Sequence, residues 1–344
     1  MYLDLVKIFI PTTVAFFLGL VLTPIATHFF YKYKMWKKYS RNTGVSLSEF
    51  SQIHNEEAEL RTPRVGGIII WLSILFTTGL FYALGVEKMN FLSRNQTIIP
   101  FFTLLVGSLI GLCDDFFQIY GTGKIAQDDK SWRKWKVFLV SLTALLIGGW
   151  FFYKLGMDSL FVPFLGEVYL GILIIPFFVL VAISTFSGGV IDGLDGLSGG
   201  VLASAFAAYT AIAYANNQID LAAFSAVTTG AILAFLWFNI PPARFYMGET
   251  GIMGLTITLS TLAFLTDSVL ILPVVALPLV LSSGSVVLQT ISKRLRSGKR
   301  LFKLSPLHHH FEAIGWPSYK VTMRFWVLSV VSAIIGIILA IISR

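Results

Sequence analysis

Membrane-length apolar runs recur along this chain too often for any soluble core to bury them. A helix needs about 20 apolar residues to cross a bilayer, and ten runs qualify: 8–31, 65–86, 97–113, 136–153, 170–187, 197–215, 220–239, 251–266, 268–291 and 321–343. Because lipid offers backbone groups no hydrogen bonds, the spans must be helices. The sequence therefore predicts an all-α polytopic membrane protein, one domain over residues 1–344, with 56% hydrophobic and 13% charged residues. The first run is long, lacks a basic leader and is followed by no small-residue cleavage site, so it reads as a span rather than a signal peptide. Pro273, Pro278 and Gly284 fall inside the ninth run and predict a bent or broken helix. Between the fourth and fifth runs, Pro163, Gly166 and alternating apolar positions predict a short hairpin within 154–169.

Charge sets the orientation. Of 26 Lys and Arg residues, 20 fall in alternate loops, at 32–64, 124–136, 244 and 293–320. Cytoplasmic loops carry such an excess, so both termini are expected outside. The net charge of +8 follows from this asymmetry; no basic recognition module is present, and a nucleic-acid partner is excluded. The single cysteine, Cys113, excludes an internal disulfide and is expected to pack as a small apolar group.

On the same expected cytoplasmic side, four polar motifs interrupt or end the runs. Asp114 and Asp115 are adjacent at the end of an apolar run, where mutual repulsion raises one pKa and gives either a base near neutral pH or a divalent-cation ligand pair, the plainer alternative being a solvated helix end. Asp128-Asp129, in a polar loop, reads as solvated surface. Asp192-Gly-Leu-Asp195-Gly-Leu places two carboxylates three apart, on one face if helical, among glycines that permit close approach of a phosphate. A carboxylate at a membrane boundary is costly unless paired or used. Phe238-Asn239-Ile-Pro-Pro-Ala-Arg244-Phe-Tyr-Met-Gly-Glu249-Thr-Gly251 supplies an acid suited to Mg²⁺, which binds through one or two carboxylates plus substrate phosphates. His308-His309-His310 follows a basic stretch. Three consecutive rings do not converge on one metal, so phosphate contacts are expected, with at least one ring structural.

Together with Thr62-Pro-Arg64-Val-Gly-Gly67, Gly315-Trp-Pro317 and Arg324-Phe-Trp326, these motifs resemble in order those of the polyprenyl-phosphate N-acetylhexosamine-1-phosphate transferases. Within that superfamily the phospho-N-acetylmuramoyl-pentapeptide transferases are the most similar, over nearly the whole chain. The resemblance implies ten spans in a bacterial cytoplasmic membrane with the active site facing the cytoplasm. It implies transfer of a phospho-sugar from a UDP-sugar, here UDP-N-acetylmuramoyl-pentapeptide, to undecaprenyl phosphate with release of UMP and with Mg²⁺ as cofactor. It makes Asp114, Asp115 and Glu249 the catalytic acids, with Glu249 the metal ligand and Asp114 the candidate base. Substrate contacts fall to Asp192, Asp195, Asn239, Arg64, Lys136, His308, His309 and His310. A homodimer stays open. So do two other functions: a UDP-N-acetylglucosamine-type transferase, suggested by Arg64, and a non-catalytic lipid-carrier binder or transporter. The chain departs from the pattern at Glu249, usually Asp; at Phe186 and Gly189, usually Asn; and at Gln118 and Glu59, usually Lys.

Overall fold

The computed structural model describes residues 2–36, 61–85, 89–93, 96–121 and 130–343. Glu59, Asp128, Asp129 and the loop cations at 37–41 and 124 lie outside the described residues. The elements run α1 (Tyr2–Lys32), α2 (Gly67–Ala83), α3 (Ile98–Tyr120), α4 (Lys130–Leu155), β1 (Ser159–Val162), β2 (Gly166–Tyr169), α5 (Ile174–Ser187), α6 (Leu197–Ala215), α7 (Ile219–Asn239), α8 (Gly248–Leu265), α9 (Leu272–Val275), α10 (Leu277–Leu295), α11 (Leu307–Ala313) and α12 (Ser318–Ile342).

Among the described residues eight helices are long and apolar enough to cross a membrane, or nine if the pair Val269–Val275 and Leu277–Leu295, bent by 85°, is counted as one span. The break falls where Pro273 and Pro278 stand near the starts of α9 and α10, as the sequence predicts. The second run forms only 17 helical residues, α2, shorter than expected from 65–86. The residues at its start are tied to the 245–247 segment, the Gly66 and Gly67 N–H groups bonding the carbonyls of Tyr246 and Met247, both at 2.9 Å. The expected hairpin is present: Ser159 to Val162 pair antiparallel with Tyr169 to Gly166.

Helix composition decides what faces lipid and what faces protein. α8 is rich in Gly, Thr and Ser, whose small side chains let neighbouring backbones approach. Thr256, Ser260 and Thr261 return their hydroxyls to carbonyls four residues back, so burying them leaves no donor unmet. In its apolar window 89% of residues are buried, against 22% for α1 and 33% for the Ile- and Val-rich α12. α8 is therefore the central helix, and its most extensive partner is α3. The two cross at glycines: a Cβ added at Gly107 would lie 2.9 Å from the Gly254 Cα, and one at Gly111 would lie 2.1 Å from the Glu249 carbonyl oxygen. That crossing brings the third and first acidic motifs together.

Candidate active site

α3 does not stop at residue 113; it continues to Tyr120, so Asp114 and Asp115 sit inside its last turns. Both side chains are buried, which is tolerable because each carboxylate is met by donors. Cys113, one position earlier, consequently points outward and is exposed rather than packed, contrary to the sequence expectation.

Asp114 is surrounded on both oxygens. Oδ1 accepts a short hydrogen bond from the Trp132 indole N–H. Oδ2 accepts one from Gln118 Nε2 at 2.6 Å and faces the Lys136 ammonium at 2.9 Å. The same Nζ lies 3.4 Å from Glu249 Oε1. Lys136 thus bridges two acids contributed by α3 and α8, reaching them from α4. Asp115 faces the other way. Its oxygens accept the backbone N–H groups of Glu249 (3.1 Å) and Thr250 (2.9 Å) and the Thr250 hydroxyl (2.7 Å).

Asp192 and Asp195 lie in a turn, not on a helix. The 3₁₀ turn Gly188–Ile191 ends at Asp192, and α6 starts only at Leu197, after Gly196 with φ +74°. The four intervening residues turn with the help of Gly196, whose left-handed backbone favours glycine. Asp192 Oδ1 accepts the Ser198 hydroxyl at 2.7 Å, whereas Asp195 Oδ2 accepts the Ala243 N–H at 3.0 Å. Asn239 bonds both segments: its Oδ1 accepts the Gly196 N–H (3.0 Å) and its Nδ2 donates to the Phe245 carbonyl (2.7 Å). Asp195 and Asn239 therefore lace the Asp192 turn to the loop that leads to Glu249.

The histidines divide. A Cβ at Gly193 would lie 2.7 Å from His308 Nε2 and 2.9 Å from His309 Nε2, so both rings abut the Asp192 turn and depend on glycine there. His309 Nδ1 pairs with Glu312 Oε2 at 2.8 Å, and Glu312 also accepts the Ser318 hydroxyl at 2.6 Å. Such a second bond fixes the ring's orientation and leaves Nε2 facing the turn. His310 points away; its Nδ1 accepts the Lys303 N–H at 3.2 Å and its ring packs on Phe302.

A cavity of about 130 Å³ joins two of the four motifs with the Thr-Pro-Arg segment: Arg64, Gln118, Asp192, Gly248 and Glu249 line it, together with Phe186, Ser187, Gly189, Val190 and Ile252. Asp192 and Glu249 thus share one cavity, and His308 and His309 adjoin it through Gly193. Arg64 is brought there by backbone pairing, Tyr246 N–H to the Pro63 carbonyl at 2.8 Å, and its guanidinium lies 5.8 Å from the Tyr246 ring centre. Gly189 cannot be enlarged, since a Cβ would lie 2.3 Å from Ile252 Cγ2. The wall at Phe186, Gly189 and Ile252 is apolar where the resemblance leads one to expect amides.

No group of three or more His, Cys, Asp or Glu residues with metal-holding geometry occurs among the described residues. The donors at hand nonetheless fit a Mg²⁺ that takes one or two carboxylates and completes its shell with water and substrate oxygens. Glu249 and Asp192 supply oxygen donors to the same cavity, and the Lys136 ammonium shows that a positive charge is accommodated between Asp114 and Glu249.

Comparison with known proteins identifies the family. The sequence pattern of glycosyl transferase family 4 matches residues 97–267, which include Asp114, Asp192, Asn239 and Glu249. The phospho-N-acetylmuramoyl-pentapeptide-transferase of Anoxybacillus flavithermus is 34% identical over 331 residues, 94% of each chain. The chain belongs to this family. The enzymes of the same name from Bacillus subtilis (32% identical, 94% of each chain) and Chloroflexus aurantiacus (34% identical over 82% of this chain and 77% of its relative) are similar in the same way. Family membership makes the chain a membrane-embedded transferase of the polyprenyl-phosphate sugar-1-phosphate type.

Sequence reasoning missed two site residues. Trp132, an aromatic among the cations at the start of α4, carried no signal. Thr250 stood in plain view beside Glu249, but its bond to Asp115 requires the α3–α8 crossing and cannot be read from either segment.

Proposed function

We propose that this chain transfers phospho-N-acetylmuramoyl-pentapeptide from its UDP-linked donor to undecaprenyl phosphate at the cytoplasmic face of a bacterial membrane, forming a lipid-linked pyrophosphate sugar and UMP. The observation that carries this reading is the shared cavity, in which Glu249 and Asp192 meet beside Arg64 and next to His308 and His309. Two anions have to meet for such a transfer, so the site must neutralise and align phosphates rather than perform covalent chemistry of its own.

The positions of the residues support a role for each. Glu249, with Asp192 across the cavity, would hold Mg²⁺. When bound, that ion would polarise the pyrophosphate and offset the charge developing on the leaving UMP. Arg64 provides a fixed cation for a phosphate oxygen, and His308 and His309 pack against Gly193 in the turn that carries Asp192. Lys136 keeps the Asp114–Glu249 pair from repelling and orients Glu249 toward the cavity. Asp114, with donors on both oxygens, serves as an anchor for Trp132, Gln118 and Lys136 rather than as a proton acceptor. A base is dispensable here because a phosphomonoester loses its second proton near pH about 6, leaving the acceptor oxygen nucleophilic at neutral pH. That oxygen attacks the sugar-side phosphorus, the bond to the UMP oxygen breaks, and the electron pair leaves with UMP.

Arg64 favours a second reading, in which the donor is UDP-N-acetylglucosamine. Purified protein incubated with undecaprenyl phosphate, Mg²⁺ and either donor distinguishes them. Lipid-linked product and UMP are expected from the muramoyl-pentapeptide donor. Turnover of UDP-N-acetylglucosamine alone would replace the first reading by the second.

A further inference from the structure

Glu249 is the acid on which the cation reading rests, yet its own helix end does nothing to fix it: α8 begins after Met247, which provides no side-chain cap. The fixing comes from across the bundle. Asp115 Oδ1 accepts the Glu249 N–H, and Oδ2 accepts both the N–H and the hydroxyl of Thr250. One turn earlier on α3, Gly111 lets the Glu249 carbonyl approach to where a Cβ would be 2.1 Å away. One neighbouring helix thus bonds the Glu249 N–H and packs closely against its carbonyl. Asp115 is 3% exposed and Thr250 0%, and neither lines the cavity.

We infer that Asp115 and Thr250 are positioning residues: they hold the Glu249 backbone so that its carboxylate enters the cavity, with the Thr250 hydroxyl orienting Asp115 for that task. The arrangement matters more for glutamate than for a shorter acid, because an added methylene multiplies the rotamers through which the carboxylate can miss the cation. Mg²⁺ demands near-ideal octahedral geometry, so small displacements of an oxygen ligand are costly. A plain helix cap would add stability alone. A positioning pair also sets cation affinity.

The inference rests on Glu249 as the cation ligand, and the experiment separates the two. Mn²⁺, as a paramagnetic stand-in for Mg²⁺, is titrated into the full-length protein in detergent micelles and free ion is read by electron paramagnetic resonance. Thr250→Val should weaken Mn²⁺ binding about fivefold, the worth of one hydrogen bond, and should raise the KM for Mg²⁺ more than it lowers kcat. Thr250→Ser, which keeps the hydroxyl, should restore both. If Thr250→Val does not fold, the isosteric Asp115→Asn carries the same expectation. Wild-type Mn²⁺ affinity in Thr250→Val, alongside its loss in Glu249→Gln, would overturn the positioning role alone. Wild-type affinity in Glu249→Gln would remove the cation reading and this inference with it.

Discussion

Replacing Lys136 by Met should leave two acids facing each other without their cation, and the consequence can be sized from the structure. The ammonium lies 2.9 Å from Asp114 and 3.4 Å from Glu249, with the Lys136 and Asp114 side chains 8% and 2% exposed. At an effective dielectric of about 20 the two attractions are roughly 6 and 5 kcal/mol. The second is reduced by the 26% exposure of the Glu249 side chain. Desolvation offsets most of the sum, and what remains on deleting one partner of a buried pair is a loss of about 3–5 kcal/mol, because a charge is left uncompensated. The same vacancy should attract a divalent cation, so Mg²⁺ at about 100 times its dissociation constant should return about 2.7 kcal/mol to the variant. Thermal unfolding in micelles, followed by tryptophan fluorescence with and without Mg²⁺, measures both effects. The midpoint should fall without Mg²⁺ and recover further on its addition than the wild-type midpoint does. An unchanged midpoint, or equal Mg²⁺ responses in the two proteins, would refute the bridging role of Lys136.

Other outcomes follow from the same geometry. Gly111→Ala should push α3 off the Glu249 carbonyl and cost about 1–3 kcal/mol or more by overpacking, whereas Gly79→Ala, with nothing within 4 Å, should be silent in the same unfolding assay. Trp132→Phe removes the donor to Asp114 Oδ1 while keeping an aromatic ring against Phe117, and kcat should drop with little change in midpoint. Asp114→Asn should slow UMP release by the same factor from pH 6 to 9; recovery at high pH would restore the base role that its hydrogen bonding argues against. Gly193→Ala should displace His308 and His309 and raise the KM for the UDP-sugar, and an unaltered KM would detach the histidines from the site.

Much of the fold was legible because lipid imposes a single solution on apolar runs, and even the break at Pro273 and Pro278 could be read from residue type. What periodicity does not carry is where a helix ends when its last turn is polar. α3 runs through Asp114 and Asp115 because Lys136, Trp132 and Thr250 satisfy them, and all three lie far away in sequence. The same blindness affected the Asp192 turn, whose three-residue spacing would share a helical face only in a helix, whereas Gly196 turns the backbone there. Motif resemblance named the acids and histidines. Only packing separates those that face the cavity, Asp192 and Glu249, from those spent on holding it, Asp115, Asp195, Asn239 and His310.

The central claim is that Glu249, a divalent cation and the donor's pyrophosphate occupy one site. The most direct measurement is the phosphorus magnetic resonance of UDP-N-acetylmuramoyl-pentapeptide in the presence of the protein and Mn²⁺. Both phosphorus signals should relax faster when protein, Mn²⁺ and donor are combined, and Glu249→Gln should abolish the effect while the donor still binds. Relaxation that is unchanged in Glu249→Gln, or Mn²⁺ that binds the protein without touching either phosphorus signal, would contradict the account.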